Sequence, residues 1–318
     1  MKALDLIGVG ECMVEFTRAP DSTFRMGFAG DTYNTAVYTH RTAAGEAEVH
    51  YVTATGDDWL SDEQLAAMRS EGLIVHVLRV PNASPALYLV RTDDEAERTF
   101  TYFRDASPVK RLFLDGVPPD TTPPWKSFDL VYFSAITLQM LTPNAREYLW
   151  EALAVARASG TIVAFDSNYR ARGWASADDA AHAVARSSAV ATIALPSLSD
   201  ERMLHPGSTV QTVIDRYRQA GAREVVVKDG AGDCAVFANG ATRRFPTESV
   251  VVPVDTTGAG DSFNAAYLLS RILGDSVKES VGTAQRLAGH VIRHRGAIIA
   301  QDAVGVPMRT PAGSGLEL

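Results

Sequence analysis

The sequence of 318 residues contains only two cysteines, Cys12 and Cys234, and no run of eighteen consecutive apolar residues. Two cysteines are too few for a disulfide framework or a structural zinc site. Without a long apolar run, we expect no transmembrane helix. The opening MKALDLIGVG has a single lysine, and Asp5 interrupts its apolar residues, so we predict a first strand and not a signal peptide. These absences favour a cytoplasmic protein without membrane contacts.

Positive charge is also scarce. Lysine and arginine total 30 against 38 aspartates and glutamates, which gives a net charge of −8. Nucleic-acid-binding proteins normally carry a basic surface, so this balance argues against that class, although it leaves room for a local basic pocket. No low-complexity tract or fixed-period repeat is visible. Hydrophobic residues make up 46% of the chain, as in soluble proteins with a substantial core.

Short apolar runs alternate with helical patterns along the chain. Most of the runs are continuous, which is typical of strands that are covered on both faces. In the helical segment 142–160, Thr142 is a candidate cap, Pro143 takes the first helical position and Gly160 ends the helix. Segment 208–221 has similar signals. The predicted strands are 4–10, 49–56, 128–135, 161–168, 189–197 and 224–230. This order predicts a single doubly wound α/β domain over residues 1–318, with a mostly parallel sheet flanked by helices.

Two segments, 11–30 and 84–105, depart from this alternation and have the pattern of β-hairpins. In the second, Tyr88–Arg91 and Thr99–Phe103 flank the acidic turn TDDEAE. Hairpins inserted in an α/β domain suggest a small accessory sheet. Such a sheet could be a lid over the carboxyl ends of the main strands, where open α/β folds bind ligands. From the pattern alone, ordinary surface hairpins are an equal alternative.

The string VDTTGAGDSF places Gly258, Ala259, Gly260 and Asp261 directly before a long apolar helix. Unpaired N–H groups at a helix start attract phosphate, and glycines let an anion approach the backbone closely. Asp261 is then either a charge that stabilises the helix start or a base that accepts a proton during phosphoryl transfer. The spacing alone leaves both roles open.

The longer string DTTGAGDSF (255–263) resembles the carboxyl-terminal signature of the PfkB carbohydrate kinases, which are relatives of ribokinase. The resemblance implies a ribokinase-like fold and transfer of the γ-phosphoryl group of ATP to a sugar. It also implies that Gly258, Ala259 and Gly260 form the anion hole and that Asp261 is the catalytic base. Mg²⁺ would arrive with the nucleotide.

Two further strings resemble other motifs of this family. FAGDTYNTA (28–36) resembles the amino-terminal glycine motif, which holds the sugar hydroxyls, and VVVKDGAGDC (225–234) resembles a strand and turn that contact the nucleotide. The residues thus implicated are Gly30, Asp31 and Asn34 for the sugar, and Lys228, Gly230 and Gly232 for the nucleotide.

LPSLSDE (195–201) lies where many family members have Asn-x-x-Glu, a motif that organises magnesium and phosphates. Ser197 replaces the Asn on the nucleotide side and Asp200 replaces the Glu. Asp200 or Glu201 could reach the ion through water, and a solvated helix start is an equal alternative. His290 and His294 are four residues apart on a predicted helix, but no third ligand is evident, so we predict no metal site in the protein itself.

The substrate requires an argument from charge. A sugar acid has a carboxylate, whose burial requires a cation or several hydrogen-bond donors. Arg104 and Arg170 follow predicted strands, where each could face the cleft, although most single arginines are surface residues. The strings GECMVEF, GDTYNTAVY, RTFTYFR, FDSNYR and HRGAI together resemble bacterial-type 2-keto-3-deoxygluconate kinases. That resemblance implies acid binding by Tyr88, Tyr102, Arg104 and Arg170.

We therefore expect a sugar-acid kinase that phosphorylates the primary hydroxyl of 2-keto-3-deoxygluconate with ATP. A fructokinase-like ketose kinase of the same family is the alternative enzyme. A catalytically inactive sugar sensor is the alternative outside the enzymes, and the retained Asp261 argues against it. The expected partners are small molecules, and a homo-oligomer is compatible with the sequence.

Overall fold

A computed structural model describes residues 3–19, 21–92, 98–114, 122–247 and 251–304. The acidic turn of the second predicted hairpin lies largely outside these ranges. Over the described part of the chain, no helix has both the length and the apolar character that a membrane crossing needs.

The strands of the structure fall into two sheets. The larger has nine strands in the order β13-β12-β11-β10-β9-β8-β1-β4-β5, and the smaller has four in the order β3-β2-β6-β7. In chain order the strands are β1 Leu4–Val9, β2 Met13–Arg18, β3 Phe24–Ala29, β4 Ala47–Thr55, β5 Ile74–Arg79, β6 Leu87–Thr92, β7 Arg98–Phe103, β8 Leu130–Ser134, β9 Ile162–Asp166, β10 Ile193–Ala194, β11 Glu224–Val227, β12 Cys234–Ala238 and β13 Ala241–Phe245.

Helices cover both faces of the large sheet. They are α1 Asp31–Ala43, α2 Trp59–Ser70, α3 Ala135–Met140, α4 Pro143–Ala158, α5 Ala177–Val190, α6 Leu198–Leu204, α7 Val210–Ala220, α8 Ala259–Ile272 and α9 Val277–Val291. On one face of the large sheet, a hydrophobic core lies between the strands and helices α3 to α7. On the other face, the main core lies between the strands and helices α8 and α9. The predicted caps also form: the Thr142 hydroxyl accepts the Ala145 N–H.

The doubly wound, mostly parallel sheet is confirmed. Strands from β11 through β5 pair in parallel, whereas β12 and β13 form an antiparallel edge. All six predicted strands are present, but the run 189–197 supplies only the two residues of β10. Two features shorten it: α5 continues to Val190, and Pro196 has no N–H for a ladder.

The two predicted hairpins also form, and together they build the small sheet. β2 pairs with β3 and β6 pairs with β7, both antiparallel, while β2 and β6 join the hairpins in parallel. The register places Glu15 opposite Tyr88, and Tyr88 opposite Tyr102. These three side chains therefore share one face of the small sheet.

Site residues gather where the main strands end. Glu11 comes two residues after β1, Asp166 is the last residue of β9, and Lys228 directly follows β11. Because the carboxyl ends of parallel strands meet at one edge of a sheet, the topology brings these residues to the same place.

Candidate active site

The helix α8 begins at a glycine loop. Gly258 has φ +76, and a Cβ on it would lie 2.4 Å from the Ala297 carbonyl oxygen, so a side chain is excluded here. No side chain caps the helix start. The Ala259 N–H donates to the Thr256 carbonyl at 3.2 Å, so an anion would be bound chiefly by the other N–H groups of the first turn. Asp255 holds the loop by accepting the Thr257 N–H at 2.9 Å and the Gly296 N–H at 2.5 Å.

Asp261 lies in the first turn of α8, where α8 packs against α1. The Asn34 amide nitrogen donates to Asp261 Oδ2 at 2.7 Å, and the Thr35 hydroxyl donates to the Asp261 carbonyl at 3.3 Å. The Gly30 N–H donates to Asn34 Oδ1 at 3.2 Å. The bond from Gly30 orients the Asn34 amide so that its NH₂ group points at Asp261.

Burial and a neighbouring charge change the acidity of Asp261. Burial, as the largest cause, and the negative charge of Asp31 together raise the pKa of its carboxyl to about 8, although the hydrogen bond from Asn34 opposes the shift. Burial also raises the pKa of Asp31, whose Oδ2 accepts the Asn168 amide at 2.9 Å. A carboxyl with a pKa near neutral pH is suited to general base catalysis.

Lys228 lies beside the glycine loop, between two polar partners. Its Nζ donates to Asp166 Oδ2 at 3.2 Å and to Asn264 Oδ1 at 2.9 Å. Asn264 in turn donates to Asp166 Oδ2 at 2.7 Å. A Cβ built on Gly260 would lie 3.9 Å from the Lys228 Nζ, so the ammonium group stands next to the loop.

The aromatic pair of the small sheet forms a second part of the site. The Tyr88 hydroxyl donates to Glu15 Oε2 at 2.5 Å, and the rings of Tyr88 and Tyr102 are 5.6 Å apart. Tyr88 is buried, whereas Tyr102 is 43% exposed. Burial raises the pKa of Tyr102, and the positive charges of Arg104 and Arg170, among others, oppose this shift.

Arg104 is held by a buried carboxylate. Its Nη2 donates to Glu11 Oε2 at 2.5 Å, and Glu11 is 2% exposed. The Ser107 hydroxyl donates to the other Glu11 oxygen. The guanidinium of Arg104 lies 5.8 Å from the centre of the Tyr102 ring. Glu11 thus fixes the position of Arg104 beside the exposed tyrosine.

Arg170 is also paired, although about half of its side chain is exposed. Its Nη1 donates to the Tyr169 carbonyl at 2.8 Å and to Asp200 Oδ1 at 3.2 Å. Asp200 is buried, and burial raises its pKa while Arg170 opposes that shift. Ser197 caps α6 by accepting the Asp200 N–H at 3.2 Å. The segment 195–201 is therefore joined to Arg170 through Asp200.

The Glu201 carboxylate is bonded to two side chains of α7. Its Oε1 accepts the Tyr217 hydroxyl at 2.7 Å, and Arg216 pairs with its Oε2. Both oxygens of this buried carboxylate are therefore engaged within the protein. Asp200, the other acid considered for magnesium, lies near Lys228 and Asp166, whose charges act on it.

The remaining predicted nucleotide residues lie in the exposed turn between β11 and β12. Gly230 has φ +56, a conformation that favours glycine. The Gly232 N–H donates to the Asp229 carbonyl at 2.7 Å and closes the turn. Gly230 and Gly232 thus lie in the turn that follows Lys228. Among the described residues, no hydrogen bond joins either glycine to Asp261.

Several residues of this network were missed from the sequence. Asp166 and Asn168 stand in the quoted string FDSNYR, of which only the arginine received a role. Asn264 follows Asp261 by three residues, a spacing that places both on one helix face. Glu11 stands in GECMVEF, but its partner is 93 residues away, so spacing gives no indication of the pair.

Comparisons with known proteins agree with this geometry. The 2-dehydro-3-deoxygluconokinase of Dickeya dadantii is 39% identical over 305 residues, which cover 93% of this chain and 97% of the relative. The enzyme of the same name from Escherichia coli K12 is 38% identical, with the same coverage. Among solved structures, the fructokinase of Xylella fastidiosa with bound ATP has a TM-score of 0.80 at 21% identity and covers 94% of both chains.

The sequence profile described as pfkB family carbohydrate kinase matches residues 4–303. This range contains the glycine loop, Asp261 and the residues of the small sheet. The chain belongs to the pfkB family of carbohydrate kinases.

Proposed function

We propose that this protein transfers the γ-phosphoryl group of ATP to the primary hydroxyl of 2-keto-3-deoxygluconate and forms 2-keto-3-deoxy-6-phosphogluconate. The observation that carries the proposal is Asp261, placed in the first turn of α8 beside the Gly258 loop and hydrogen-bonded by Asn34. Relatives that are 34–39% identical over about 93% of the chain bear the name of this sugar-acid kinase.

The residues around the loop fit a nucleotide with its magnesium ion. The N–H groups at the start of α8 and the Lys228 ammonium supply positive potential for phosphates. Asp166 and Asp200 are hard oxygen donors of the kind that Mg²⁺ prefers, directly or through water. When bound, Mg²⁺ would neutralise phosphate charge. Ser197, Gly230 and Gly232 would line the nucleotide side.

In the proposed reaction, Asp261 accepts the proton of the primary hydroxyl while that oxygen bonds to the γ-phosphorus and the bond to ADP breaks. Its raised pKa makes it a competent base near neutral pH. The N–H groups of Gly258, Ala259 and Gly260 would stabilise the charge of the phosphoryl oxygens. Lys228 would add a cation, which Asp166 keeps in position.

The sugar would lie between Asp31, Asn34 and the small sheet. Gly30 sets the loop that orients Asn34, while Asp31 would accept hydrogen bonds from sugar hydroxyls. The carboxylate of the sugar acid would meet Arg104 and Arg170, whose charges converge on Tyr102, with Tyr88 packed beneath. Each guanidinium has N–H donors left after its protein partner is satisfied.

We also propose that the chain forms one catalytic domain over residues 1–318, in which segments 11–30 and 84–105 act as a lid. The small sheet presents Tyr102 and Arg104 to the same region as Arg170. Closure over the sugar would exclude water and so suppress ATP hydrolysis.

The role of Asp261 is tested by Asp261→Asn, which keeps the shape and can still accept the Asn34 hydrogen bond but cannot accept a proton. We expect kcat to fall by roughly a hundredfold or more, with sugar binding retained. Since burial disfavours the ionised carboxylate, the variant should be at least as stable as the wild type in urea unfolding. Near-normal turnover would contradict the assignment.

The pH dependence follows from the raised pKa of Asp261. Because the base must be ionised, kcat/KM should rise with pH up to about 8, by about tenfold per unit well below that value. Asp31→Asn removes a negative charge that raises this pKa, so the rising limb should move to lower pH. The exposed Asp62→Asn is the control and should leave the profile unchanged. If the rising limb of the pH profile stays at the same pH in Asp31→Asn, the charge of Asp31 does not raise the pKa of Asp261.

The carboxylate subsite is tested by Arg170→Ala and Arg104→Ala. Loss of one charge-assisted hydrogen bond costs about 1.5–3 kcal/mol, which is roughly a tenfold to hundredfold rise in KM for 2-keto-3-deoxygluconate. Residual activity on fructose, which has no carboxylate, should change far less. Each variant leaves a buried carboxylate without its arginine, Glu11 in one case and Asp200 in the other, so the difference between the two substrates is the readout. Equal losses on both substrates would point to a folding defect.

The lid is tested by hydrogen exchange with and without 2-keto-3-deoxygluconate. If the small sheet closes on the sugar, the amides of segments 11–30 and 84–105 should gain protection together, since closure reduces local opening. The distant helix α7 serves as the internal control and should not change. Unaltered exchange in both segments at saturating sugar would eliminate the lid.

A further inference from the structure

A group of metal-ligating side chains lies at the amino-terminal edge of the large sheet, opposite to the candidate active site. It consists of Asp5 near the start of β1, and of Glu48 and His50 near the start of β4. One ligand atom from each lies within 4.8 Å of the others. Asp5 pairs directly with Glu48 in the parallel ladder, and His50 follows two residues later. The three side chains therefore share one face of the sheet.

The ring of His50 is held in one orientation. Its Nδ1 lies 2.8 Å from His76 Nε2, and the two rings stack 5.1 Å apart with an interplanar angle of 3°. Phe128 packs edge-on against the same ring at 5.1 Å. Because His76 engages Nδ1, the other nitrogen, Nε2, is the one turned toward the carboxylates. Metal-ligating histidines are commonly fixed in this way through their second nitrogen.

The separation between the His50 and Asp5 side chains suits a shared ion better than a direct hydrogen bond. His50 Nε2 lies 3.9 Å from Asp5 Oδ1, which is too long for a hydrogen bond. Two ligands on one tetrahedral ion, with bonds of about 2.0–2.2 Å, lie about 3.4 Å apart. A small inward rotation of the side chains would therefore reach that geometry. A cation would also offset the repulsion between the two carboxylates.

We propose that Asp5, Glu48 and His50 bind one Zn²⁺ ion, with water in the fourth position and His76 supporting His50. An imidazole nitrogen with two carboxylates suits zinc, whereas Mg²⁺ prefers oxygen ligands alone. The site lies far from Asp261 along the strands, so its role is to join β1 and β4 and not to take part in phosphoryl transfer. The proposal does not depend on the sugar substrate.

The test is calorimetric titration of the chelator-treated full-length protein with ZnCl₂, in excess MgCl₂ to occupy all-oxygen sites. We expect saturable binding of one Zn²⁺ per chain, together with a thermal unfolding midpoint that rises with Zn²⁺ concentration. His50→Gln should weaken binding at least tenfold, on the scale of altered metal ligation. Glu48→Gln, at an exposed position, should do the same without risk to the fold.

The matched control is His294→Gln, in the other closely spaced pair of histidines. The His290 Nε2 lies 2.6 Å from the Ala303 carbonyl, and the His294 Nδ1 lies 3.1 Å from the His290 carbonyl. This variant should bind Zn²⁺ as the wild type does. Absence of saturable binding to the wild type would overturn the proposal. So would binding that is lost in His294→Gln but kept in His50→Gln and Glu48→Gln.

Discussion

The burial of Asp261 beside two other carboxylates is the constraint on which the candidate site depends, because burial is the largest cause of its raised pKa. The charges of Asp31 and Asp166 both act on Asp261, and each raises its pKa. Amide donors offset this cost, because Asn34 bonds Asp261 and Asn168 bonds Asp31. These donors stabilise the carboxylates without neutralising them. Burial and this remaining repulsion together raise the pKa of Asp261 to about 8, which suits the proposed role as a base.

The phosphate side of the site is built around the same repulsion. Lys228 is a cation beside the loop, and it is already bonded to Asp166 and Asn264. Backbone N–H groups at the start of α8 supply the rest of the positive potential. They carry no net charge, so they can attract a phosphate without cancelling the negative charge that raises the pKa of Asp261.

On the sugar side, the two predicted arginines are each paired with a buried carboxylate of the protein. Arg104 binds Glu11 and Arg170 binds Asp200. These pairs orient the guanidinium groups before a ligand arrives, and pre-orientation lowers the entropy cost of binding. Asp200 also stands near Lys228 and Asp166. It thereby places the proposed carboxylate subsite next to the phosphoryl-transfer side.

Local features of the sequence predicted most of this structure. Continuous apolar runs predicted the main strands, and the string DTTGAGDSF predicted the loop and the position of Asp261, because a glycine loop and the helix behind it are contiguous. The partners of the arginines were not predicted. Glu11 contacts Arg104 only because the fold brings the loop after β1 close to the end of β7. The shortness of β10 was missed because the apolar pattern continued through Pro196, which cannot donate to a ladder.

The most direct test of the central claim is a comparison of wild-type kcat/KM for 2-keto-3-deoxygluconate, fructose and ribose at fixed ATP and Mg²⁺. A site that orients arginines for a carboxylate should favour the sugar acid by at least about tenfold to a hundredfold, the scale of one charge-assisted hydrogen bond. The product should carry its phosphate on the primary hydroxyl. An equal or higher kcat/KM for a neutral sugar would contradict the account and favour a ketose kinase.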